Sequence, residues 1–371
     1  MPTLRWRPFR LPMRRRFEAA HGAMADRRGV LIALRDEDGR IGYGEASPIA
    51  SLGYGTADDV AALLRQHGEA LLHGLADALD PGAPGAQALR CALDVATLDL
   101  EAQRAGVPVA ERLTEHVAPS VRVNAVIGEG TPEETVQFGM EARGQGYRVL
   151  KLKVGSAPLD DDVRRVHALR DAVPDAAIRL DTNGAWDEPT AVAAVRALAP
   201  LHVELIEQPV AAGDVEALAR VRDAARALGV EAPKIAADEA VTDGRTLERV
   251  LDLRAADYVV LKPMFLGGVR PAFAIAERAA RLGIGAFATT TFDSSIGTAA
   301  ALQLACAIGG AIPGGVAHGL GTGEYLERDV IAQPLVAAAG LLALPERPGL
   351  GVAPDPVLLD AVAEGDWVTV G

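Results

Sequence analysis

The sequence predicts a closed β/α barrel preceded by a separate region of strands and helices. Three features predict it. Short apolar strands alternate with helices from about residue 120 to about residue 320. The strands end on charged residues in an ordered series. Outside that stretch the alternation stops, leaving a β-rich start and a Pro- and Gly-rich tail. Strand–helix alternation implies a parallel sheet. Seven or eight such units in about 200 residues favour a closed barrel over an open sheet. A doubly wound sheet would carry a glycine fingerprint after its first strand, and Ile127-Gly128-Glu129-Gly130 is a poor match.

In chain order, residues 1–46 read as β-rich. Strands at 30–34 and 41–45 flank a turn at 36–39 with Asp and Gly in the expected places. The segment 21–25 and the stretch around Gly53 and Gly55 read as loops flexible enough to act as lids. Residues 57–106 read as helices. There Leu89, Ala92, Leu93, Ala96, Leu98 and Leu100 form a stripe, and Gly106 is a C-terminal stop. Barrel strands are expected at 121–127, 147–155, 177–181, 203–207, 235–238, 258–262, 285–290 and 316–320. Helices are expected at 132–143, 160–173, 189–198, 215–228, 245–253, 269–282 and 297–307. Beyond residue 323, short strands at 341–344 and 367–370 belong to a tail that returns to the N-terminal β region.

Composition narrows the function. The 371 residues are 49% hydrophobic and 23% charged, which fits a soluble globular protein of one large or two smaller domains. A net charge of -13 argues against nucleic acid and against an anionic membrane surface as partners. A small carboxylate stays compatible, because a metal or a lysine cluster reverses the sign locally. The basic run Arg14-Arg15-Arg16 reads as a solvated strand end. No apolar run is long enough to cross a membrane, and the start lacks a signal-peptide pattern. Cys91 and Cys306 read as free core thiols of a cytoplasmic protein, and the seven histidines lack zinc-ligand spacing.

The charged strand ends define a candidate site, since β/α barrels place active sites at the C-terminal ends of their strands. Strand two carries Lys151 and Lys153, which side-chain alternation puts on one face. Mutual repulsion and partial burial are expected to lower a lysine pKa toward neutrality, as a general base needs. Strand three ends in Asp181, strand four in Glu207, strand five in Asp238 and strand six in Lys262. Singly, each acid reads as a structural or surface group, but the ordered series points to a site. Converging carboxylates must be neutralised, and oxygen-only donors favour Mg²⁺, with Mn²⁺ tolerated. A cation there would hold a substrate carboxylate and stabilise the dianion formed when the adjacent carbon loses its proton. Glu204 has odd parity with Glu207 and is expected to point outward. Glu239 is expected to be second in line or structural, and Asn183 to support the metal or its water.

With these residues in place, the chain resembles the enolase superfamily, and within it the muconate-lactonizing-enzyme subgroup. That subgroup carries Lys-x-Lys on strand two, metal acids on strands three to five and a lysine on strand six. Gly42-Tyr43-Gly44-Glu45-Ala46-Ser47-Pro48, Ala92-Leu93-Asp94, Asp99-Leu100 and Pro348-Gly349-Leu350-Gly351-Val352 resemble its capping domain. The resemblance implies a modified TIM barrel of the enolase type at 119–323. It also implies an α+β capping domain formed by both termini, 1–118 and 324–371. Asp181, Glu207 and Asp238 would bind Mg²⁺, and Lys151, Lys153 and Lys262 would be catalytic, through a metal-stabilised enediolate. A homo-oligomer is implied as well.

Mandelate racemase and acid-sugar dehydratases use a histidine on strand seven, where this chain has Thr289-Thr290-Thr291-Phe292. Dipeptide epimerases usually carry Asp-x-Asp on strand eight, where this chain has Ala317-His318-Gly319-Leu320-Gly321-Thr322-Gly323. The stretch from Thr289 to Gly297, with His318-Gly319-Leu320 and Asp329, most resembles o-succinylbenzoate synthases of menaquinone biosynthesis. In that reading Lys153 removes the proton, Lys262 stays protonated and Lys151 tunes Lys153. Asn183, Thr291, Ser294, Ser295 and Gly297 are the candidate substrate contacts. Ser294, Ser295 and the amides opening the next helix would take the succinyl carboxylate, or the serines serve as a helix N-cap. N-acylamino-acid racemase, dipeptide epimerase and muconate cycloisomerase are the alternatives. A non-catalytic metal-binding barrel is the alternative of another class, and the intact set of lysines and acids speaks against it.

Overall fold

A computed structural model describes residues 2–19, 22–75, 79–242, 244–312 and 315–371. The N-terminal strands β1 (Thr3–Ala19), β2 (Gly22–Arg35) and β3 (Ile41–Ala46) pair antiparallel in that order. The loop expected at 21–25 is corrected here: residues 22–25 belong to β2, paired as far as Ala19↔Gly22, and His21 lies outside the described residues. Helices α1 (Ala57–Leu72) and α2 (Ala86–Ala105) follow. Thr56 and Asp59 form a reciprocal capping box at the start of α1, and Gly106 ends α2 at φ 73°.

Helix α2 lies directly on β3. A Cβ on Gly42 would fall 2.1 Å from the Ala96 carbonyl oxygen, and one on Gly44 would fall 1.9 Å from that of Ala92. No side chain is compatible with this approach, which explains the glycines on either side of Tyr43. The cap core gathers Leu4, Trp6, Val30 and Ile32 from the sheet with Val60, Leu64, Leu89 and Leu93 from the helices. Met264 and Phe265 of the barrel complete it, so the two parts share one buried cluster.

The remaining elements follow in order: β4 (Ser120–Arg122), β5 (Ala125–Ile127), α3 (Pro132–Gly144), β6 (Val149–Lys153), α4 (Leu159–Ala172), β7 (Ala177–Asp181) and α5 (Glu188–Leu198). Then come β8 (Val203–Glu207), α6 (Val215–Ala227), β9 (Lys234–Ala237), α7 (Gly244–Leu253), β10 (Tyr258–Leu261), α8 (Pro263–Leu266) and α9 (Val269–Arg281). The chain closes with β11 (Gly285–Ala288), α10 (Ser295–Ala311), β12 (Leu341–Ala343), α11 (Pro356–Val362) and β13 (Val368–Val370).

Strands β5 to β11 form a seven-stranded parallel sheet in sequence order. The segment 317–319 joins its two edges. His318 N donates to Arg122 O and Asn124 N to His318 O on one side. Gly319 N donates to Ala288 O and Thr290 N to Gly319 O on the other. This eighth stave is only a pair of bridges, yet it closes the ring. The first barrel strand, expected unbroken over 121–127, divides at Val123 and Asn124. Its first part, β4, pairs antiparallel with β12 of the tail, and β5 pairs with β6. Farther on, β13 joins the cap sheet beside β1.

The period of two along each strand stacks the barrel interior in layers. Leu205, Ala236, Val260 and Phe287 form a small closed cluster. Each lies two residues before a residue of the next layer, namely Glu207, Asp238, Lys262 and Thr289. The apolar layer is therefore the floor, and the polar layer above it faces the cap. Arg179, two residues before Asp181, is buried in the floor against the Phe287 ring. Glu204 does not point outward as its parity predicts. The pairing of β7 with β8 shifts between Ile178↔Val203 and Arg179↔Leu205, and this irregularity lets Glu204 accept from Arg179 Nε. Among the described residues no helix is long and apolar enough to cross a membrane. Cys91 and Cys306 are free and buried, and burial pushes the Cys306 thiol up to about 12.

Candidate active site

A cleft of about 150 Å³ opens between the polar end of the barrel and the cap. Lys151, Lys153, Asp181, Asn183, Glu207, Asp238, Glu239 and Lys262 line it in an arc from the second stave to the opposite sixth, and Asn124, Val126, Thr289 to Phe292, Gly319 and Thr322 line the rest of the ring. Met24, Ile49, Ser51 and Leu52 of the cap cover it. The 50s loop is fastened to the barrel by Tyr54, whose ring stacks on Phe265 at 3.8 Å between centroids.

The lysines and acids predicted from the strand ends meet in this cleft. Lys151 Nζ bridges Glu207 Oε1 at 2.7 Å and Asp181 Oδ2 at 2.8 Å. Lys153 Nζ donates to Asp181 Oδ2 at 2.6 Å and Asn183 Oδ1 at 2.7 Å. Across the barrel, Lys262 Nζ donates to both oxygens of Asp238 at 2.6 Å. The expectation of a lowered lysine pKa is corrected for Lys151. Burial opposes the charge on Lys151, but Asp181, Glu207 and Asp238 outweigh it and raise the pKa. Lys262 is likewise raised against burial by Asp238, Glu239 and Glu207. Sequence reasoning counted the repulsion between lysines and missed the larger attraction of the acids.

The acids answer in kind. Burial opposes ionisation of Asp181, yet Lys151 and Lys153 hold its pKa well below the usual range. Glu207 is pushed up to about 8 by burial and by the charge of Asp181. Three lysines here face four carboxylates, because Glu239 also lines the cleft and accepts from Asn183 Nδ2 at 2.9 Å. Glu239 is thus part of the site wall, where alternation from Asp238 predicted a side chain turned away. The strand gives way to a short 3₁₀ turn at Glu239–Val241, so period two no longer applies.

Does this set suit a divalent cation? Among the described residues no three acids are gathered at metal-ligand spacing. The ammonium of Lys151 stands between Asp181 and Glu207, while that of Lys262 holds Asp238. The donors themselves fit a hard cation: all are carboxylate oxygens from three neighbouring strand ends, and Glu207 Oε2 is buried without a hydrogen-bond partner among the described residues. Gln208 supports them. Its Oε1 accepts from Asp238 N and Ala240 N, its Nε2 donates to Val210 O, and it sits at φ 41°. Sequence reasoning passed over Gln208, although it directly follows Glu207.

The candidate substrate contacts divide. Asn183 and Thr291 line the cleft. Ser294, Ser295 and Gly297 do not, and their assignment is corrected. Glu45 of the cap accepts from Ser294 N at 3.1 Å, Gly297 N at 3.0 Å and the Ser294 hydroxyl. Asp329 accepts from Ser295 N at 3.1 Å and Ser295 Oγ at 2.6 Å. A carboxyl group does sit at the start of α10, where backbone N–H groups are left to be satisfied, but the protein supplies it. Ser294 also caps α10 by accepting from Ile296 N. Asp94 does the same for α9, accepting from Val269 N at 2.8 Å and Arg270 N at 3.1 Å. Two cap carboxylates thus dock on the starts of two barrel helices.

The fold agrees with the comparisons. Residues 134–358 match the enolase C-terminal domain-like family, and residues 5–113 match the mandelate racemase / muconate lactonizing enzyme N-terminal domain. The chain belongs to the muconate-lactonizing-enzyme subgroup of the enolase superfamily, a family of enzymes. It is 32% identical to muconate cycloisomerase 1-2 of Acinetobacter lwoffii over 88% of this chain and 86% of that one. With the o-succinylbenzoate synthase of Thermobifida fusca it shares 38% identity over 61% of this chain and 67% of that one. The crystal structure of N-succinyl Arg/Lys racemase from Bacillus cereus superposes with a TM-score of 0.87 at 25% identity, covering 100% and 99% of the two chains. A dipeptide epimerase from Enterococcus faecalis, solved with Mg and L-Leu-L-Tyr, superposes at 0.84 with 28% identity over 95% and 99%.

Proposed function

We propose that this enzyme removes the proton α to the carboxylate of a small substrate, and that its reaction is the dehydration that yields o-succinylbenzoate. The observation that carries the proton abstraction is the pair Lys153 and Lys262, which enter one cleft from opposite walls with Asp181, Glu207 and Asp238 beside them. The dehydration is supported by the resemblance of the stretch from Thr289 to Gly297 and by the 38% identity to an o-succinylbenzoate synthase.

In this reading Asp181, Glu207 and Asp238 would hold Mg²⁺. Bound there, the cation supplies the positive charge that makes the carbon beside a carboxylate acidic enough for a lysine. Lys153 takes the proton, and Asp181 and Asn183 fix the position of its Nζ. The hydroxyl on the neighbouring ring carbon leaves as water, with Lys153 returning the proton. Lys262 stays protonated on the opposite face and balances negative charge on the substrate carboxylate. Lys151 bridges Asp181 and Glu207 and so shares the Asp181 carboxylate with Lys153. The cap residues Met24, Ile49 and Leu52 keep water from the reacting carbon.

A second reading, racemisation of N-acylamino acids, is favoured by the same opposed lysines, each serving one face. The test is turnover of 2-succinyl-6-hydroxy-2,4-cyclohexadiene-1-carboxylate with Mg²⁺, followed by ultraviolet absorbance. Formation of the aromatic product at a kcat/KM of about 10⁴ M⁻¹s⁻¹ or more supports the dehydration. No product, with α-proton exchange of N-succinylamino acids in D₂O, replaces it with the racemase reading.

A further inference from the structure

Four buried polar side-chain atoms without a hydrogen-bond partner among the described residues line the cleft: Asn124 Nδ2, Glu207 Oε2, Glu239 Oε2 and Thr289 Oγ1. The two glutamates belong to the acidic side. Asn124 and Thr289 stand away from them, 2% and 6% exposed, and among the described residues nothing pairs with Asn124 Nδ2 or Thr289 Oγ1. A buried donor left unpaired costs about 1–3 kcal/mol, so two of them in one cleft wall point to a ligand group.

Their placement is specific. Thr289 continues the seventh strand and is bridged to Gly319, while Asn124 N donates to His318 O on the other side of the same stave. The two residues therefore flank Gly319, their backbones about 10 Å apart at ordinary strand spacing. Gly319 contributes no side chain between them, and a Cβ there would fall 2.7 Å from Thr289 Cγ2. This leaves a notch over Gly319 with a donor on either flank.

The notch carries no charge. Every charged residue lining the cleft lies on the second to sixth staves or directly after them. Arg27, behind this wall, is buried and donates to Pro48 O and Ser47 O. His318 uses Nδ1 to accept from Ala288 N. The hydroxyls of Thr290 and Thr322 bond to each other at 2.5 Å.

We infer that Asn124 and Thr289 form a subsite for a neutral carbonyl oxygen of the substrate's acyl arm, seated over Gly319. This rests on the function proposed above and deepens it. In the cyclohexadiene substrate the ketone carbon stands two bonds from the carbon that loses its proton. In an N-acylamino acid the amide carbonyl carbon stands two bonds away as well. One subsite therefore serves both reactions, with the metal-side carboxylate at one end and the carbonyl at the other. A simple unsaturated dicarboxylate has no such carbonyl.

The test compares two stable ligands of the Mg²⁺-loaded full chain by titration calorimetry: o-succinylbenzoate and 2-(3-carboxypropyl)benzoate, in which CH₂ replaces the ketone. Wild type is expected to prefer the ketone about tenfold, the worth of one or two hydrogen bonds. Thr289→Val and Asn124→Leu each reduce that preference severalfold while leaving affinity for the CH₂ ligand unchanged, and Thr289→Ser keeps the preference. Equal binding of both ligands by wild type, or a preference that survives both substitutions, overturns the inference alone. Binding of neither ligand by wild type overturns the inference together with the proposed dehydration.

Discussion

Glu45 offers a quantitative test of how the cap is held on the barrel. Its carboxylate is buried and accepts from Ser47 Oγ, Ser294 N, Ser294 Oγ and Gly297 N. Burial, with the charge of Asp293 added, pushes its pKa up from 4.5 to about 7, against the pull of these donors. The folded state therefore binds a proton that the unfolded state has released between pH 4.5 and pH 7. With more protons bound to the folded form, stability from this group falls as pH rises through that window. It is fully present below the lower value and lost above the upper one. At 1.36 kcal/mol per pKa unit, the loss is about 3 kcal/mol.

Glu45→Gln removes the titration while preserving the shape. Thermal unfolding of wild type and variant at intervals from pH 4.5 to pH 8 isolates the titration of Glu45 with its neighbour Asp293, because groups that do not interact with Glu45 cancel in the difference. Wild type is expected to lose ground to the variant as pH rises, by on the order of 5 °C in Tm across the window. A difference that stays flat or rises with pH would refute the reasoning. It would mean that the four donors and the start of α10 keep Glu45 ionised throughout.

Other consequences are more direct. Glu207→Gln should weaken Mg²⁺ binding by tenfold or more, read by calorimetry on the purified protein, and unchanged affinity would remove Glu207 from the metal set. Tyr54→Ala deletes the stack on Phe265 that fastens the 50s loop, about 1 kcal/mol. It should raise KM severalfold with little change in Mg²⁺ affinity, and an unaltered KM would argue that the loop does not cover bound substrate. Gly319→Val should block the notch beside Thr289 and cut affinity for o-succinylbenzoate at least tenfold while circular dichroism stays native. Undiminished affinity would show that the ligand lies elsewhere.

What could be read from the sequence was whatever depends on local period. The strands of the barrel announce themselves as apolar runs, and period two carries Lys151, Lys153, Asp181 and Glu207 onto one face without reference to any other part of the chain. Period two failed where the backbone departs from it, at the shifted pairing beside Glu204 and at the 3₁₀ turn that brings Glu239 into the cleft. Electrostatics failed for another reason. Two adjacent lysines suggest repulsion until the three-dimensional arrangement places Asp181 and Glu207 within 2.8 Å of Lys151. Contacts between distant segments were least legible. Glu45 and Ser294 are 249 residues apart, and nothing local to the serine reveals that its helix start already has a carboxyl partner. Asn124 and Thr289 escaped notice because an unpaired donor is a property of a packed wall, not of a residue type.

In the proposed reaction Lys153, paired with Lys151, removes a substrate α-proton in this cleft. Single-turnover reaction of Lys153→Ala with 2-succinyl-6-hydroxy-2,4-cyclohexadiene-1-carboxylate, alongside its Mg²⁺ titration, tests this most directly. The expected result is a loss of at least about 10³-fold in rate, with Mg²⁺ affinity within a few-fold of wild type. Turnover at the wild-type rate would contradict it and move the base elsewhere in the site.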